Sequence, residues 1–267
     1  MAGQDQERAL AELRGEIDRL DREMHERLME RGRIIDRLIA VKGGTAATGS
    51  AFRPEREASM MRIMARRHEG GLPFDAVEGI WRIIISTFTH LQAPFAVHAD
   101  MSGDPTAMRD SARYHFGFTV PLADEASPEA VIAAVAASRG DLGLIAVADF
   151  PQRAKTDWWR RLEAEDAPKI IAHLPFVERP GHPAPYPVVV LAKSISGEGL
   201  GSTVLYSAGG LIRDGNPLAA LGGRIVAEWG LEALVEAPRD IDAAKVQETL
   251  GAASLAVVGS HPSTAPA

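Results

Sequence analysis

LRGEIDRLDREMHERLMERGRIIDRLIAVK, residues 13–42, is the stretch of the sequence that decides the first part of the fold. Its apolar residues, with one just before it, recur three, four or seven positions apart: Leu10, Leu13, Ile17, Leu20, Met24, Leu28, Ile35 and Leu38. This spacing predicts one amphipathic helix from about Leu10 to Val41, roughly 45 Å long at about 1.5 Å per residue. Two shorter helices of the same chain cannot cover a stripe of this length, so we expect a helical homodimer.

Two shorter helices are predicted after the long one. Residues 43–50, GGTAATGS, break the first helix because small, flexible residues dominate there. A second helix is predicted over 54–67, since a proline in the first helical turn lacks only a donor that would be unpaired there. A third is predicted over 74–91, ending before Pro94. Residues 1–95 therefore form, by this interpretation, an all-α three-helix domain that intertwines with a second copy.

The period of the apolar pattern changes after residue 95. Runs typical of buried strands recur in PFAVHA (94–99), DLGLIAVAD (141–149), KIIAHLPF (169–176), YPVVVLAK (186–193), STVLYS (202–207) and SLAVVG (254–259). Helices are predicted near 104–115, from Pro128 after a Ser127 cap, near 217–228 and near 240–250. Such alternation predicts an α/β domain over 96–260 with a largely parallel sheet, followed by a flexible tail at 261–267.

The net charge of -7 is distributed unevenly. Residues 1–95 hold 15 Lys and Arg and 15 Asp and Glu, so that residues 96–267 hold the other 14 and 21 of the totals of 29 and 36. Neither part has the basic excess that binding to nucleic acid needs. The chain has no cysteine and a polar N-terminus, so we expect a cytoplasmic protein that does not bind a membrane. The eight histidines show no metal-ligand spacing, and we expect neither a metal nor a cofactor.

Several cations stand where they could bind an anion. Arg53 and Arg56 lie at a predicted helix start, where the helix dipole disfavours positive charge. Arg31 and Lys42 are three helical turns apart, about 16 Å along nearly the same face of the long helix. Arg14 lies roughly 26 Å before Arg31 and could reach the same ligand only from a second chain. Periodicity alone leaves open whether these are simply solvated helix charges.

The helical part resembles the all-helical (AroQ-class) chorismate mutases. The resemblance is carried by the stretch 13–42, by FRPERE (52–57) and by GIWRIIISTFTHLQ (79–92), and it covers residues 10–92. It implies conversion of chorismate to prephenate, a step in the biosynthesis of phenylalanine and tyrosine. It also implies six polar substrate-binding residues, which are Arg14, Arg31, Lys42, Arg56, Glu57 and Gln92.

The resemblance implies a role for each residue of the long helix and for the glutamine that closes the third. Arg14 of the partner chain and Arg31 would hold the two carboxylates of chorismate. Lys42 and Gln92 would hydrogen-bond the ether oxygen whose bond breaks. The rearrangement is unimolecular, so it needs a held conformer and stabilised charge on that oxygen rather than a nucleophile, metal or cofactor.

The start of the second helix supplies two further residues by the same resemblance. Glu57 would accept the ring hydroxyl, and Arg56 would support the carboxylate end. Two positions depart from the family pattern. Arg53 stands where Asp is common, and Phe88 stands where a small Ser is common.

The second part resembles the prephenate dehydratases, whose fold is similar to that of periplasmic binding proteins. The stretches that carry this resemblance are 110–149 and 172–194. Pro187-Val188-Val189 stands where these enzymes have Thr-Arg-Phe, and AVADF (146–150) replaces Pro-x-Glu-Asn-Ser. Proline and valine side chains cannot donate a proton, so we expect no dehydratase activity. We also expect no regulatory ACT domain to follow.

Two alternatives stay open at this point. The chain could be a bifunctional mutase and dehydratase. It could also be a non-catalytic sensor, in which the helical part only dimerises and the acidic part binds an aromatic ligand. Joint retention of the six polar residues favours the mutase, because a dimerisation scaffold needs only the apolar stripe.

Overall fold

The structure, a computed structural model, describes residues 2–41, 52–147, 156–193, 201–210, 215–263 and 265–266. The predicted site residue Lys42, the predicted break at 43–50 and most of the AVADF segment lie outside the described residues. The chain divides into two compact units, Met1–Ala46 and Ala47–Ala267, and each is described by itself.

The first unit contains one helix, α1, over Ala2–Val41. It begins eight residues before the predicted start, because Ala, Gln, Glu and Arg in this segment all favour helix. Seven of the eight residues of the predicted stripe are between 38% and 60% exposed, and Ile35 is half-buried. Within this unit, α1 therefore carries an uncovered apolar face along most of its length.

The second unit contains the other helices and all the described strands. Its helices and short 3-10 turns are α2 (Pro54–Arg67), α3 (Phe74–Gln92), α4 (Pro105–Phe116), α5 (Pro128–Ala137), a 3-10 turn at Trp158–Leu162, another at Ala219–Leu221, and α6 (Ala243–Leu250). Its strands are β1 (Val97–Asp100), β2 (Leu122–Glu125), β3 (Leu142–Ala146), β4 (Lys169–Leu174), β5 (Val177–Glu178), β6 (Val188–Ala192), β7 (Thr203–Gly209), β8 (Arg224–Trp229), β9 (Glu232–Pro238), β10 (Ser254–His261) and β11 (Ala265–Pro266). Helices α2 and α3 match their predictions to within one residue.

Helices α2 and α3 pack onto the first strands of the sheet. Met61 of α2 and Ile85 of α3 are buried in one hydrophobic core with Val97 of β1 and Phe116 of α4. The helical segment and the α/β segment therefore share their interior in this unit, and the boundary at residue 95 stays a proposal.

The prediction of a largely parallel sheet is wrong. The nine-stranded sheet has the order β2-β1-β3-β6-β4-β10-β7-β9-β8. Strand β1 pairs in parallel with β2 and β3, and β10 pairs in parallel with β4, but the other five pairings are antiparallel. Helix α4 connects the parallel neighbours β1 and β2, and α5 connects β2 to β3 across β1. The domain is therefore a mixed α/β structure with a large sheet.

Strands β7 to β10 form an antiparallel group on one side of the sheet, with β10-β7-β9-β8 as neighbours. We expected a helix near 217–228, and this prediction is wrong because Gly222 and Gly223 interrupt it and β8 follows. Gly222 adopts φ 72°, a left-handed conformation that suits glycine and ends the short 3-10 turn. Strands β8 and β9 are joined by Gly230 and Leu231, a connection short enough to require antiparallel pairing.

The residue at the start of the predicted flexible tail is part of the sheet. His261 is the last residue of β10 and is buried, with its Nε2 3.2 Å from Glu236 Oε2. Strand β11 pairs in parallel with β5. Backbone pairing therefore continues beyond residue 261.

Over the described residues, no helix combines the length and the apolar character that crossing a membrane requires.

Candidate functional site

The long helix carries two of the predicted substrate-binding residues. Arg14 is exposed and Arg31 is half-buried, both on α1. Their spacing of 17 residues corresponds to roughly 26 Å along the axis. One copy of α1 therefore cannot bring both guanidinium groups to one small ligand.

The first turn of α2 holds the next pair in contrasting surroundings. Arg56 is exposed, whereas Glu57 is only 4% exposed. A carboxylate in a first turn faces the positive end of the helix dipole. The Glu57 backbone N–H donates to Arg53 O at 3.0 Å, which continues the helix from its cap. Glu57 is thus a buried acidic residue, and Arg56 is an exposed basic residue.

Glu57 is paired with an arginine that the sequence analysis missed. Arg82 of α3 donates from Nη1 to Glu57 Oε2 at 2.6 Å. Its Nε and Nη2 donate to His115 O at 3.2 and 3.0 Å, and its guanidinium lies 5.3 Å from the centroid of the Phe176 ring. The Arg82 side chain is 0% exposed. The available signal was a lone cation inside the apolar run GIWRIIIST (79–87), because such residues are seldom buried without a partner.

The surroundings of this ion pair shift two pKa values. Burial raises the pKa of Glu57 above its usual range, although the charge and hydrogen bond of Arg82 act against that rise. Burial, assisted by the charge of Arg82, holds the pKa of His115 well below its usual range. His115 is therefore neutral at ordinary pH, and Arg82 is the cation that faces the Glu57 carboxylate from α3.

The glutamine that the resemblance places on the ether oxygen ends α3. Gln92 is half-buried, and its Nε2 donates to Phe88 O at 3.1 Å. Phe88, one of the two departures from the family pattern, is also half-buried. The Gln92 amide is thus held against its own helix.

A second buried polar cluster surrounds Glu78, which lies one turn before Arg82 on α3. Arg179 Nη2 lies 2.6 Å from Glu78 Oε2, and its Nε donates to Asp75 Oδ1 at 2.8 Å. Tyr114 OH and His182 Nε2 each lie 3.3 Å from Glu78 Oε2. Burial opposes ionisation of Glu78, but the hydrogen bond from His182 and the charge of Arg179 prevail and lower its pKa. This cluster ties α3 to α4 and to the segment after β5.

Two of the three positions of the dehydratase Thr-Arg-Phe motif lie in the sheet interior. Val188 and Val189 are 0% exposed and begin β6, between β3 and β4. Pro187 borders a cavity of about 210 Å³, together with His173 and Arg224. No side chain of the Pro187-Val188-Val189 segment can donate a proton into that cavity.

Comparison with known families decides how the helical segment is classified. Residues 13–93 match the model of the chorismate mutase type II family. The resemblance to chorismate mutases that the motifs indicated is thereby confirmed over the region that carries all six candidate residues.

Curated relatives match beyond the mutase segment. A protein of Pseudomonas aeruginosa named bifunctional chorismate mutase/prephenate dehydratase is 32% identical over 157 residues, covering 58% of this chain and 42% of that protein. A protein of the same name from Neisseria gonorrhoeae is 30% identical over 104 residues, covering 39% of this chain and 27% of that protein. The chain thus spans less than half the length of these relatives.

One solved structure also aligns with the chain. It is titled "GqqA- a novel type of quorum quenching acylases" and has a TM-score of 0.41 and 14% identity, covering 63% of this chain and 95% of that one. A likeness at this level carries no argument about the fold or the activity of this chain.

Proposed function

We propose that the protein is a chorismate mutase, an isomerase that converts chorismate to prephenate without a cofactor, in the biosynthesis of phenylalanine and tyrosine. The observation that carries the proposal is the match of residues 13–93 to the chorismate mutase type II family. The names of the curated relatives, which all include chorismate mutase, support the same reaction.

The proposed mechanism is positioning followed by electrostatic stabilisation. Arg31 and the partner chain's Arg14 bind the two carboxylates of chorismate and hold the folded, reactive conformer. Lys42 and Gln92 donate to the ether oxygen, on which negative charge grows as its bond to carbon breaks. No proton, electron or metal ion is transferred in this step.

The residues of α2 complete the proposed site. Glu57 accepts a hydrogen bond from the ring hydroxyl, and Arg56 supports the carboxylate end of the substrate. The exposed position of Arg56 is compatible with this role, since its side chain is available to a ligand or to a partner chain.

We propose further that the protein is a homodimer in the cytoplasm and binds neither nucleic acid nor a membrane. The apolar stripe of α1 supports the dimer, because seven of its residues are at least 38% exposed and a second copy would bury them. Sharing of Arg14 between chains requires the same assembly. The absence of cysteine fits a reducing compartment.

We assign residues 96–260 to a domain similar to periplasmic binding proteins, without dehydratase activity. The absence of dehydratase activity is supported by the Pro187-Val188-Val189 segment, which lacks a side-chain donor where dehydratases have Thr-Arg-Phe. Product analysis tests both halves of the proposal. Protein incubated with chorismate is expected to accumulate prephenate, and phenylpyruvate is expected only after acid is added. Phenylpyruvate in an acid-free sample would contradict the assignment and favour a bifunctional enzyme.

Gln92→Glu is expected to lower kcat at neutral pH by about 10²-fold, because an ionised carboxylate cannot donate to the ether oxygen and repels its growing charge. Activity is expected to return as the pH falls toward the ordinary Glu pKa of about 4.3, where the new carboxyl is protonated and donates again. The measurement is kcat of the variant and of the wild type at a series of pH values from about 4 to about 8. Gln92→Leu is the control and should lose activity without recovering in acid. Full activity of Gln92→Glu at neutral pH would contradict the role.

A further inference from the structure

Arg82 is an unusual residue for its place on α3. It stands in the apolar run GIWRIIIST (79–87) and is 0% exposed. Removing a guanidinium group from water is costly unless it is paired and its donors are hydrogen-bonded. Arg82 meets this condition with one ion pair to Glu57 and two hydrogen bonds to the backbone of His115.

The groups that hold Arg82 come from the α/β segment. His115 lies in the last turn of α4, where helix carbonyls lack partners within the helix and favour a cation. Phe176, whose ring faces the guanidinium, follows β4. Arg82, on the helical segment, therefore contacts α4 and the residues after β4, both beyond residue 95. It also donates a hydrogen bond to Glu57.

Arg82 is the principal charged neighbour of the Glu57 carboxylate within this unit. From α2 comes Arg56, which is exposed, and from the cap position before α2 comes Arg53, whose carbonyl accepts the Glu57 N–H. From α4 comes His115, which is neutral at ordinary pH. Among the residues that the structure describes, Arg82 is the one that forms a salt bridge with the Glu57 carboxylate, and this ion pair is buried.

We propose that Arg82 is a positioning residue of the mutase site, which keeps the Glu57 carboxylate ionised and oriented to accept the ring hydroxyl of chorismate. The inference rests on the proposed function, and it makes the α/β segment a structural part of the mutase site. Without Arg82, Glu57 would lie buried without its ion-pair partner, and the exposed Arg56 would be the remaining nearby cation. The carboxyl would then take up a proton and lose an acceptor oxygen.

The test compares Arg82→Gln with a control that disturbs the same helix elsewhere. Arg82→Gln is expected to lower kcat about 10²-fold at pH 7, and to move the acid limb of the activity profile to higher pH. Arg179→Gln breaks the ion pairs with the buried Glu78 and the more exposed Asp75 on α3, so it reports general loss of packing. Arg179→Gln is expected to lower the Tm to a similar extent but to leave the acid limb where it is in the wild type.

Two more variants keep the test decisive if Arg82→Gln does not fold. Arg82→Lys keeps the charge but loses the forked geometry, so it should lower kcat about 10-fold with the acid limb near that of the wild type. Glu57→Gln combined with Arg82→Lys should be no worse than Glu57→Gln alone, because Arg82 acts through Glu57.

The possible failures can be told apart. The inference would be overturned if the acid limb of Arg82→Gln did not move, or if that of Arg179→Gln moved equally. In either case, turnover of chorismate by the wild type would still support the proposed mutase function. Additive losses in the double variant would also overturn it. A wild type that never consumes chorismate would overturn the proposed function and this inference together.

Discussion

Replacement of Arg31 by alanine is expected to lower kcat/KM for chorismate by about 10³-fold. In the proposed site, Arg31 binds a substrate carboxylate through paired N–H donors, an interaction that both binds the substrate and holds the reactive conformer. Water entering in place of the side chain cannot reproduce that orientation. The measurement is the initial rate of chorismate loss, followed by ultraviolet absorbance over a range of substrate concentrations.

Arg27→Ala is the matched control for Arg31→Ala. Arg27 lies about one turn earlier on α1, and its Nη1 donates to Glu30 Oε2 at 2.8 Å on the exposed surface. Surface pairs of this kind contribute little, so turnover should stay close to that of the wild type. If Arg31→Ala kept the wild-type rate as well, the mutase site would be misplaced and the sensor hypothesis would gain.

Mixing two inactive variants is expected to restore activity. Arg14→Ala and Arg31→Ala each remove one of the two carboxylate-binding arginines, but in the proposed dimer these residues serve one site from different chains. A mixed dimer then has one site with both arginines intact and one with neither. If subunits exchange at random, about a quarter of the wild-type activity should return.

The control for this experiment is a chain that carries both substitutions. Mixed with either single variant, it cannot form an intact site, so its mixtures should stay inactive. Size-exclusion chromatography or light scattering of the same samples would show whether subunits have exchanged. Exchange without recovery would contradict a site shared between chains.

Helices α2 and α3, and most of α1, could be predicted closely because their signals are local. Pro54 marks the start of α2, and the apolar period of α1 is uninterrupted from Leu10 onward. The strands were recognised as apolar runs, but their pairing depends on which distant strand lies alongside. Strand β8 was mistaken for helix because the residues before it, which contain Ala219 and Leu221, favour helix until Gly222 ends the turn.

The candidate site shows the same limit. Glu57 could be picked out because a motif at a helix start carries it. Arg82 could not be assigned to it, since 25 residues separate the two and only tertiary packing brings them to 2.6 Å. The carbonyl of His115, which holds Arg82, carries no side-chain signal at all. Sequence patterns thus indicate the groups proposed to meet the substrate better than the groups that hold them.

The most direct test of the central claim is a progress curve of chorismate absorbance with the full chain at neutral pH, without added metal or cofactor. Chorismate is expected to disappear far faster than in a protein-free sample, with prephenate forming in equal amount. Decay of chorismate at the protein-free rate, in a sample shown to be folded, would show that the protein is not a chorismate mutase.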